Sequence, residues 1–294
     1  MCARTATLLA VTALLAAGCG SGADEGAGPT PASGAFPVTV GTAFGDVTVE
    51  EQPVRVVALG WSDAETALAL GVQPVGASDW LGFGGEGVGP WAEGRYDEAP
   101  EIIETLEPSY EAIAALEPDL ILDTRSDGTQ ERYDLLSAIA PTVGQPEGVG
   151  PYQTTWQQQL ELVGAALGKD DEAAALRAQV DDAFAEAAAA HPEFAGTEVA
   201  VGAYTSEGFG AYVRGDSRVD FVEQLGFENK AAIQAKAGES FFVPVSDERL
   251  SLLDAPLTVV FPIFVEYGRS APRCRSRSCR GSPRVLTAGP VRQR

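Results

Sequence analysis

Aromatic and arginine side chains stand directly after several of the apolar strands that the sequence predicts. In open α/β sheets, ligands bind beyond the carboxyl ends of such strands. An arginine there can pair with ligand oxygens, and an aromatic ring can pack on a flat ligand face. We therefore expect a binding crevice, and we assign eight residues to it: Trp61, Trp80, Trp91, Tyr96, Arg125, Tyr204, Arg214 and Phe242. The alternatives are core packing or loop anchoring for the aromatic residues and surface ion pairs for the arginines.

The residue types that most metal and catalytic sites need are scarce. His191 is the single histidine, so the chain cannot form a histidine-rich metal site or use two catalytic histidines. The sequence contains neither a GxSxG nucleophile turn nor the GK[ST] of a phosphate-binding loop. We predict no catalytic residue and no metal ligand. A lipid-anchored hydrolase is the alternative, and it would depend on His191 at a helix end before Pro192.

The chain is strongly acidic, and its charge is unevenly distributed. Asp and Glu number 42 against 20 Lys and Arg, which gives a formal net charge of −22. Such a surface repels phosphate backbones, so we expect no nucleic-acid partner. The last acidic residue is Glu266, and residues 267–294 contain eight arginines. We interpret this segment as a disordered tail that is out of frame or non-native. The alternatives are a functional basic arm and an ordinary disordered tail.

The N-terminus has the features of an export signal. Arg4 precedes an apolar run from Ala6 to Ala17, which is too short to cross a bilayer. The following small residues and Cys19 resemble a bacterial lipobox, so we predict a signal peptide over 1–18, lipidation of Cys19 and a tether over 19–36. A plain secretory signal is the alternative. No cysteine occurs between Cys19 and Cys274, so no disulfide is available to the folded body.

Buried strands alternating with helices indicate a parallel α/β fold. A hairpin is predicted over Val38–Val49, and residues 153–191 are predicted to be helical with a break near Gly168. The second part of this helical region, over 170–190, is long enough to bridge two lobes. We divide the body into an N-terminal α/β lobe (37–168), an inter-lobe helix (169–191) and a C-terminal α/β lobe (192–266). Further strands are predicted over 54–59, 74–77, 120–122, 197–204, 211–213, 241–245 and 257–264.

A weak internal repeat relates the two predicted lobes. Residues 111–122 align with residues 248–259, and each segment is a short helix that leads into an apolar strand. Glu111 and Glu248 occupy matching places in the first turns of these helices. We expect each lobe to present one of these glutamates at its rim. The alternative is that both simply stabilise a helix N-terminus through the helix dipole.

Several sequence segments resemble the iron–siderophore substrate-binding lipoproteins of bacterial ABC importers. They are RVVALGWSD (55–63), ALGVQPVG (69–76), EAIAALEPDLI (111–121), VDFVEQLG (219–226) and VSDERLSLLD (245–254). The resemblance implies two Rossmann-like α/β lobes joined by one long helix, with a ferric siderophore in the crevice between them. It also implies a monomer on the outer face of the cytoplasmic membrane, no cofactor because the siderophore holds the iron, and docking of Glu111 and Glu248 onto an ABC permease. Cobalamin and haem binders of the same family are the alternatives.

The sequence departs from this family after Phe264. Members continue with strand and helices that complete the second lobe, whereas this chain has the arginine-rich segment. We therefore expect an incomplete second lobe with an exposed strand edge near residues 257–264, low stability and weak ligand binding. A non-functional truncated product is the remaining alternative.

Overall fold

The computed structural model describes residues 36–238, 240–263 and 285–287 of the chain. The predicted signal peptide, Cys19, nearly all of the tether and most of the arginine-rich segment lie outside these residues. Within the described part, no helix combines the length and the apolar character needed to cross a bilayer.

A β-hairpin and a five-stranded parallel sheet form the first lobe. The hairpin pairs β1 (Val38–Thr42) with β2 (Gly45–Val49), which confirms the prediction. The sheet has the order β5–β4–β3–β6–β7, and every neighbouring pair in it is parallel. Its strands are β3 (Val56–Ala58), β4 (Gly76–Ser78), β5 (Glu101–Ile103), β6 (Leu120–Leu122) and β7 (Thr142–Val143).

The central strands of this sheet are apolar on both faces, so both faces are covered. The helices of this lobe are α1 (Asp63–Ala69), α2 (Tyr110–Ala115), α3 (Gln130–Ser137) and α4 (Trp156–Ala166). Val56 and Leu122 pack with α4 and the hairpin, whereas Val57 and Ile121 pack with α2 and α3.

Helix α1 starts without the side-chain cap that the sequence Ser62-Asp63-Ala64-Glu65 suggests. Ser62 has a φ of 66°, and its side chain makes no capping hydrogen bond. The capping box that this Ser-x-x-Glu spacing predicts is therefore absent. Glu65, which would accept from the Ser62 amide in such a box, instead accepts a hydrogen bond from Trp80.

The long helix predicted over 170–190 is confirmed as α5 (Asp170–Ala190), and so is the break before it. The chain turns at Gly168, whose φ of 64° favours glycine. At the start of α5, Ala173 is buried in the core of the first lobe. Further along, the ring of Phe184 meets Phe221 of the second lobe with centroids 5.3 Å apart. Helix α5 therefore connects the two lobes.

A six-stranded mixed sheet forms the second lobe. Its order is β11–β9–β8–β12–β13, with β10 also paired to β8. The strands are β8 (Glu198–Thr205), β9 (Gly208–Tyr212), β10 (Glu228–Asn229), β11 (Phe242–Val245), β12 (Leu257–Pro262) and β13 (Val285–Thr287). The helices are α6 (Ser217–Gln224), α7 (Ala231–Gln234) and two 3-10 helices, Pro192–Phe194 and Asp247–Leu253.

Strand β13 corrects one expectation about the arginine-rich segment. It lies parallel to β12, with Val259 opposite Leu286. Two predictions are therefore wrong at this place. Residues 285–287 are not disordered, and the edge of β12 opposite them is not free of a neighbouring strand. Val285, Leu286 and Thr287 are of residue types that favour strands, and the backbone of β12 offers them hydrogen-bonding partners.

The internal repeat has a structural counterpart in each lobe. Helix α2 leads into β6, which pairs in parallel with β3, and the 3-10 helix Asp247–Leu253 leads into β12, which pairs in parallel with β8. Glu111 and Glu248 are both exposed and lie in the first turns of these helices. The two lobes therefore present these glutamates from equivalent positions.

Candidate functional site

A cleft of about 340 Å³ lies between the two sheets. Its walls come from the ends of β3, β4, β6 and β12 and from the start of α6. The lining residues are Trp61, Trp80, Leu81 and Arg125 from the first lobe and Ser217, Arg218, Phe261, Pro262 and Ile263 from the second. The structure thus brings three of the eight predicted residues, Trp61, Trp80 and Arg125, together at the carboxyl ends of parallel strands.

Stacked aromatic rings form the first-lobe wall of the cleft. Trp61 lies centrally, 5.7 Å from the ring of Trp80 and 4.5 Å from that of Tyr152 between centroids. Phe241 of the second lobe meets Trp61 edge-on at 6.1 Å. Such contacts stabilise a defined ring orientation. The wall therefore offers a rigid apolar surface to a flat ligand face.

A buried polar network fixes the backbone around Trp61. The Asp63 carboxylate, fully buried, accepts hydrogen bonds from the amides of Gly60 and Thr124, each 3.0 Å long, and from the Thr124 hydroxyl. Gln159 Nε2 donates to Asp63 Oδ1 at 2.6 Å and to the Trp61 carbonyl at 2.8 Å. Burial raises the pKa of Asp63 to about 6, although these donors act in the opposite direction.

Glu65 orients Trp80. The indole Nε1 of Trp80 donates a 3.1 Å hydrogen bond to Glu65 Oε1. Burial raises the pKa of Glu65, and the hydrogen bond from Trp80 partly offsets this effect. Glu65 Oε2 is buried and has no hydrogen-bond partner among the described residues. The hydrogen bond from Trp80 to the Glu65 carboxyl group therefore fixes the position of a ring that lines the cleft.

Arg125 provides a buried positive charge at the cleft. The residue is only 5% exposed, and its Nε donates to the Tyr152 carbonyl at 2.9 Å. Its Nη2 lies 3.5 Å from Ser217 Oγ of the second lobe, and its Cζ lies 5.9 Å from the Trp61 ring centre. Burial lowers the pKa of Arg125. Within the described part of the chain, no carboxylate forms an ion pair with it.

Arg218 is the second arginine of the cleft and was not among the predicted site residues. Its Nε and Nη2 donate to the two oxygens of Asp216 at 2.8 and 2.7 Å, and its Cζ lies 3.9 Å from the Tyr212 ring centre. Asp216 is buried and also caps α6 by accepting from the Arg218 amide. The sequence did contain a clue to this residue. Arg218 follows a helix-capping aspartate by two positions, which places it in the first turn of α6, the helix that comes after β9.

The model of the periplasmic binding protein family matches residues 56–261. This span is well over half of the chain and includes β3, helix α5 and most of β12, and therefore the strand ends that frame the cleft. The chain belongs to the periplasmic binding protein family.

A known protein has a sequence similar to that of this chain. The chain is 30% identical over 221 residues to the probable siderophore-binding lipoprotein YfiY of Bacillus subtilis strain 168, covering 72% of this chain and 64% of that protein. It therefore spans just under two thirds of the length of this relative.

Two solved structures of periplasmic binding proteins have the same fold. One is a periplasmic solute binding protein from Mycobacterium smegmatis, with 32% identity, a TM-score of 0.69 and coverage of 85% of this chain and 88% of the other. The second is PiaA of Streptococcus pneumoniae TIGR4 in complex with ferrichrome, with 28% identity, a TM-score of 0.67 and coverage of 76% and 78%. The two-lobed α/β fold of this binding protein is thus shared with both.

The other predicted ligand residues of this periplasmic binding protein do not line the cleft. Tyr96 is buried in the core beside α1. Arg214 is exposed and pairs with Glu223 at 2.7 Å, which is the surface ion pair that the sequence left as an alternative. Tyr204 packs on Phe209 at 4.7 Å.

Trp91 and Phe242 lie behind rings that are closer to the cleft. Trp91 is 64% exposed and packs edge-on against Phe83, which in turn meets Trp80. Phe242 contacts Phe241 at 5.2 Å. Each residue therefore contacts a ring that packs against a cleft-lining tryptophan, and neither lines the cleft itself.

The side chains that line the cleft include aromatic rings and arginines. Among residues 36–238, 240–263 and 285–287, no three His, Cys, Asp or Glu side chains are grouped so that they could hold a metal ion. The side chains at the cleft are instead suited to packing on an organic ligand and to pairing with its oxygen atoms.

Proposed function

We propose that this protein is the extracytoplasmic binding component of an ABC importer and that it captures a ferric siderophore in the cleft between its lobes. The observation that carries the proposal is the combination of the Trp61–Trp80 wall with the guanidinium of Arg125, which no described carboxylate pairs, at the carboxyl ends of parallel strands. YfiY, a probable siderophore-binding lipoprotein, and PiaA, whose structure contains ferrichrome, support the same class of ligand.

The cleft matches the chemistry of such a ligand. A ferric siderophore is a compact chelate with planar chelating groups and outward-facing oxygen atoms. Trp61 and Trp80 can pack on its faces, and Arg125 can donate hydrogen bonds to its oxygens. The iron enters already held by the chelator, so the protein needs no cofactor and no metal ligand of its own. In this role the protein binds and releases its ligand without catalysis.

Delivery requires contact with a permease, and the two exposed glutamates suit this role. Glu111 and Glu248 project from equivalent first turns, one on each lobe. Carboxylates on both lobes could pair with arginines of a permease and sense the distance between the lobes. We infer that Glu111 and Glu248 serve docking and that Cys19 carries the lipid which holds the protein, as a monomer, at the outer face of the cytoplasmic membrane.

Equilibrium titration with ferric chelates tests the binding role. The purified protein is titrated with a ferric hydroxamate, a ferric catecholate, haem and cobalamin. We expect binding of at least one ferric siderophore, and about a tenfold or greater loss of affinity in Arg125→Gln. Arg214→Gln is the matched control, because Arg214 is paired to Glu223 outside the cleft. Binding of haem or cobalamin alone would instead assign the protein to that ligand.

A further inference from the structure

The two arginines of the cleft differ in their charge balance. The guanidinium of Arg218 forms a two-pronged ion pair with Asp216, whose carboxylate is almost completely buried. Among the described residues, the hydrogen-bond partners of the Arg125 guanidinium are a carbonyl and a hydroxyl oxygen, and no carboxylate pairs with it. Of the two positive charges, one is therefore neutralised within the protein, and one remains for a ligand.

The other carboxyl groups near the cleft lower its positive charge further. Asp63 is bonded to the strand ends. Asp220 accepts from the Gly215 amide at 3.0 Å, and burial raises its pKa. Both carboxylates attract the charge of Arg125, and Asp216 attracts it more strongly than either does. The described walls of the cleft therefore carry at most about one net positive charge.

We propose that the cleft selects ferric chelates with at most one negative charge and that Asp216 is the residue that sets this limit by neutralising Arg218. The inference rests on the proposed siderophore-binding function and specifies the charge class of its ligand. Ferric trihydroxamates are neutral, and ferric complexes of two hydroxamates and one α-hydroxycarboxylate are singly anionic. Ferric tricatecholates carry three negative charges.

The physical reason is the cost of burying unpaired charge. A charge removed from water without a partner is strongly destabilised, whereas a charge with one matching cation is tolerated. The single negative charge of a monoanionic chelate is neutralised by the positive charge of Arg125. A neutral chelate can still accept hydrogen bonds from the Arg125 guanidinium through its oxygen atoms. A triply anionic chelate would keep two uncompensated charges in the cleft. The net charge of −22 on the protein opposes such a polyanion at longer range as well.

The test measures the affinities of three ferric chelates, one of each charge, for the full chain at low ionic strength. For the wild type we expect the neutral or singly anionic chelate to bind at least about tenfold more tightly than the triply anionic one. In Asp216→Asn the ratio should move by about tenfold toward the tricatecholate, because Arg218 becomes a second free cation. Asn retains the acceptor oxygen that caps α6. Glu223→Gln, on the same helix but paired to exposed Arg214, should leave the ratio unchanged.

Arg218→Gln provides a second test that does not touch the cap of α6. It leaves Asp216 without its cation, so the singly anionic chelate should lose more affinity than the neutral one. The charge-class inference is overturned if the tricatecholate binds most tightly to the wild type, or if neither cleft variant changes the ratio. If no ferric chelate binds to the folded wild-type protein, the proposed function itself fails, which is a distinct result.

Discussion

The backbone amide of Trp61 donates a 2.9 Å hydrogen bond to the carbonyl oxygen of Arg125. This bond joins the loop after β3 to the loop after β6, so the central aromatic ring and the buried cation of the cleft are held in one rigid unit. Both side chains depend on it for their mutual position. Substitutions that disturb the polar groups beneath these loops should therefore change ligand binding without touching a ligand.

Asp63→Asn should make the protein less stable and change how its stability depends on pH. The amide group of Asn replaces an oxygen that accepts hydrogen bonds with a donor, so we expect a loss on the order of 1–3 kcal/mol. Burial raises the pKa of Asp63 in the folded protein from the ordinary 3.8 to about 6. The folded state therefore keeps this proton to a higher pH than the unfolded chain does. The stability that Asp63 contributes is present below about pH 4 and declines as the pH rises to about 6.

Denaturant unfolding of the wild type and Asp63→Asn between pH 4 and 7 measures this effect. The difference in unfolding free energy between the two proteins should shrink as the pH rises. Asp46→Asn, at an exposed position of the hairpin, controls for the general change in net charge. A difference that stays constant or grows with pH would contradict the protonation of Asp63.

Gly60→Ala should destabilise the protein, because the site has no room for a methyl group. A Cβ atom at Gly60 would lie 2.3 Å from Asp63 Oδ2 and 2.7 Å from the backbone nitrogen of Arg125. We expect a loss of about 1–3 kcal/mol and weaker ligand binding, since the strand ends must separate. Thermal unfolding measures the loss. Gly41→Ala is the control, since its Cβ would meet nothing closer than 3.7 Å. Equal melting temperatures for the two variants would contradict the close packing.

The elements that the sequence predicted correctly are those with a strong local pattern. Local sequence alone is enough to recognise the apolar run around Leu120–Leu122 and the alanine-rich helix after Gly168. Strand β5 and helix α3 were not predicted. Strand β5 is only three residues long, and two of these residues are exposed. Helix α3 has only two buried residues, and one of them is Arg132. Short or weakly amphipathic segments gain their structure from packing, which a local pattern does not contain.

The cleft was predictable only where a strand end decides the position of a side chain. Trp61 and Arg125 follow parallel strands of one sheet, so their proximity follows from topology. Arg214 and Arg218 are four residues apart, and both follow β9. Only the orientation of α6 determines that Arg218 reaches the cleft and that Arg214 pairs with Glu223. The same limit applies to Tyr152, whose contact with Trp61 depends on a loop fold that the sequence does not reveal.

Trp61 and Trp80 should dominate the fluorescence response to a ferric chelate. Both line the cleft, whereas Trp156 lies on α4 with its ring 5.6 Å from the guanidinium carbon of Arg177. Quenching by an iron chelate falls steeply with distance, so Trp61→Phe should remove a large part of the ligand-induced quenching. Trp156→Phe should leave the absolute quenching amplitude nearly unchanged. A larger loss in Trp156→Phe than in Trp61→Phe would place the ligand elsewhere.

Cys19→Ser should abolish lipidation. The apolar run followed by small residues and a cysteine is the pattern that directs acylation of that thiol, and serine lacks the thiol. Metabolic labelling with a radioactive or clickable palmitate should mark the wild type in the bacterial membrane fraction, and the variant should be unlabelled and released from the membrane. Cys274→Ser serves as the control for labelling at another cysteine. Equal labelling of the wild type and Cys19→Ser would contradict the anchor.

Glu111→Ala combined with Glu248→Ala should abolish uptake and leave ligand binding intact. Both side chains are exposed in first turns on separate lobes, and neither lines the cleft, so their loss should remove contacts with the permease and no contact with the ligand. Uptake of the radioactive ferric chelate by cells and its affinity for the purified protein are measured in parallel.

The matched control is the pair Glu131→Ala and Glu193→Ala, which also removes one exposed first-turn glutamate from a short helix of each lobe. Each single variant should reduce uptake less than the double variant, because one lobe would remain docked. A loss of affinity that equals the loss of uptake would mean that these glutamates act on the ligand, and unchanged uptake in the double variant would exclude them from docking.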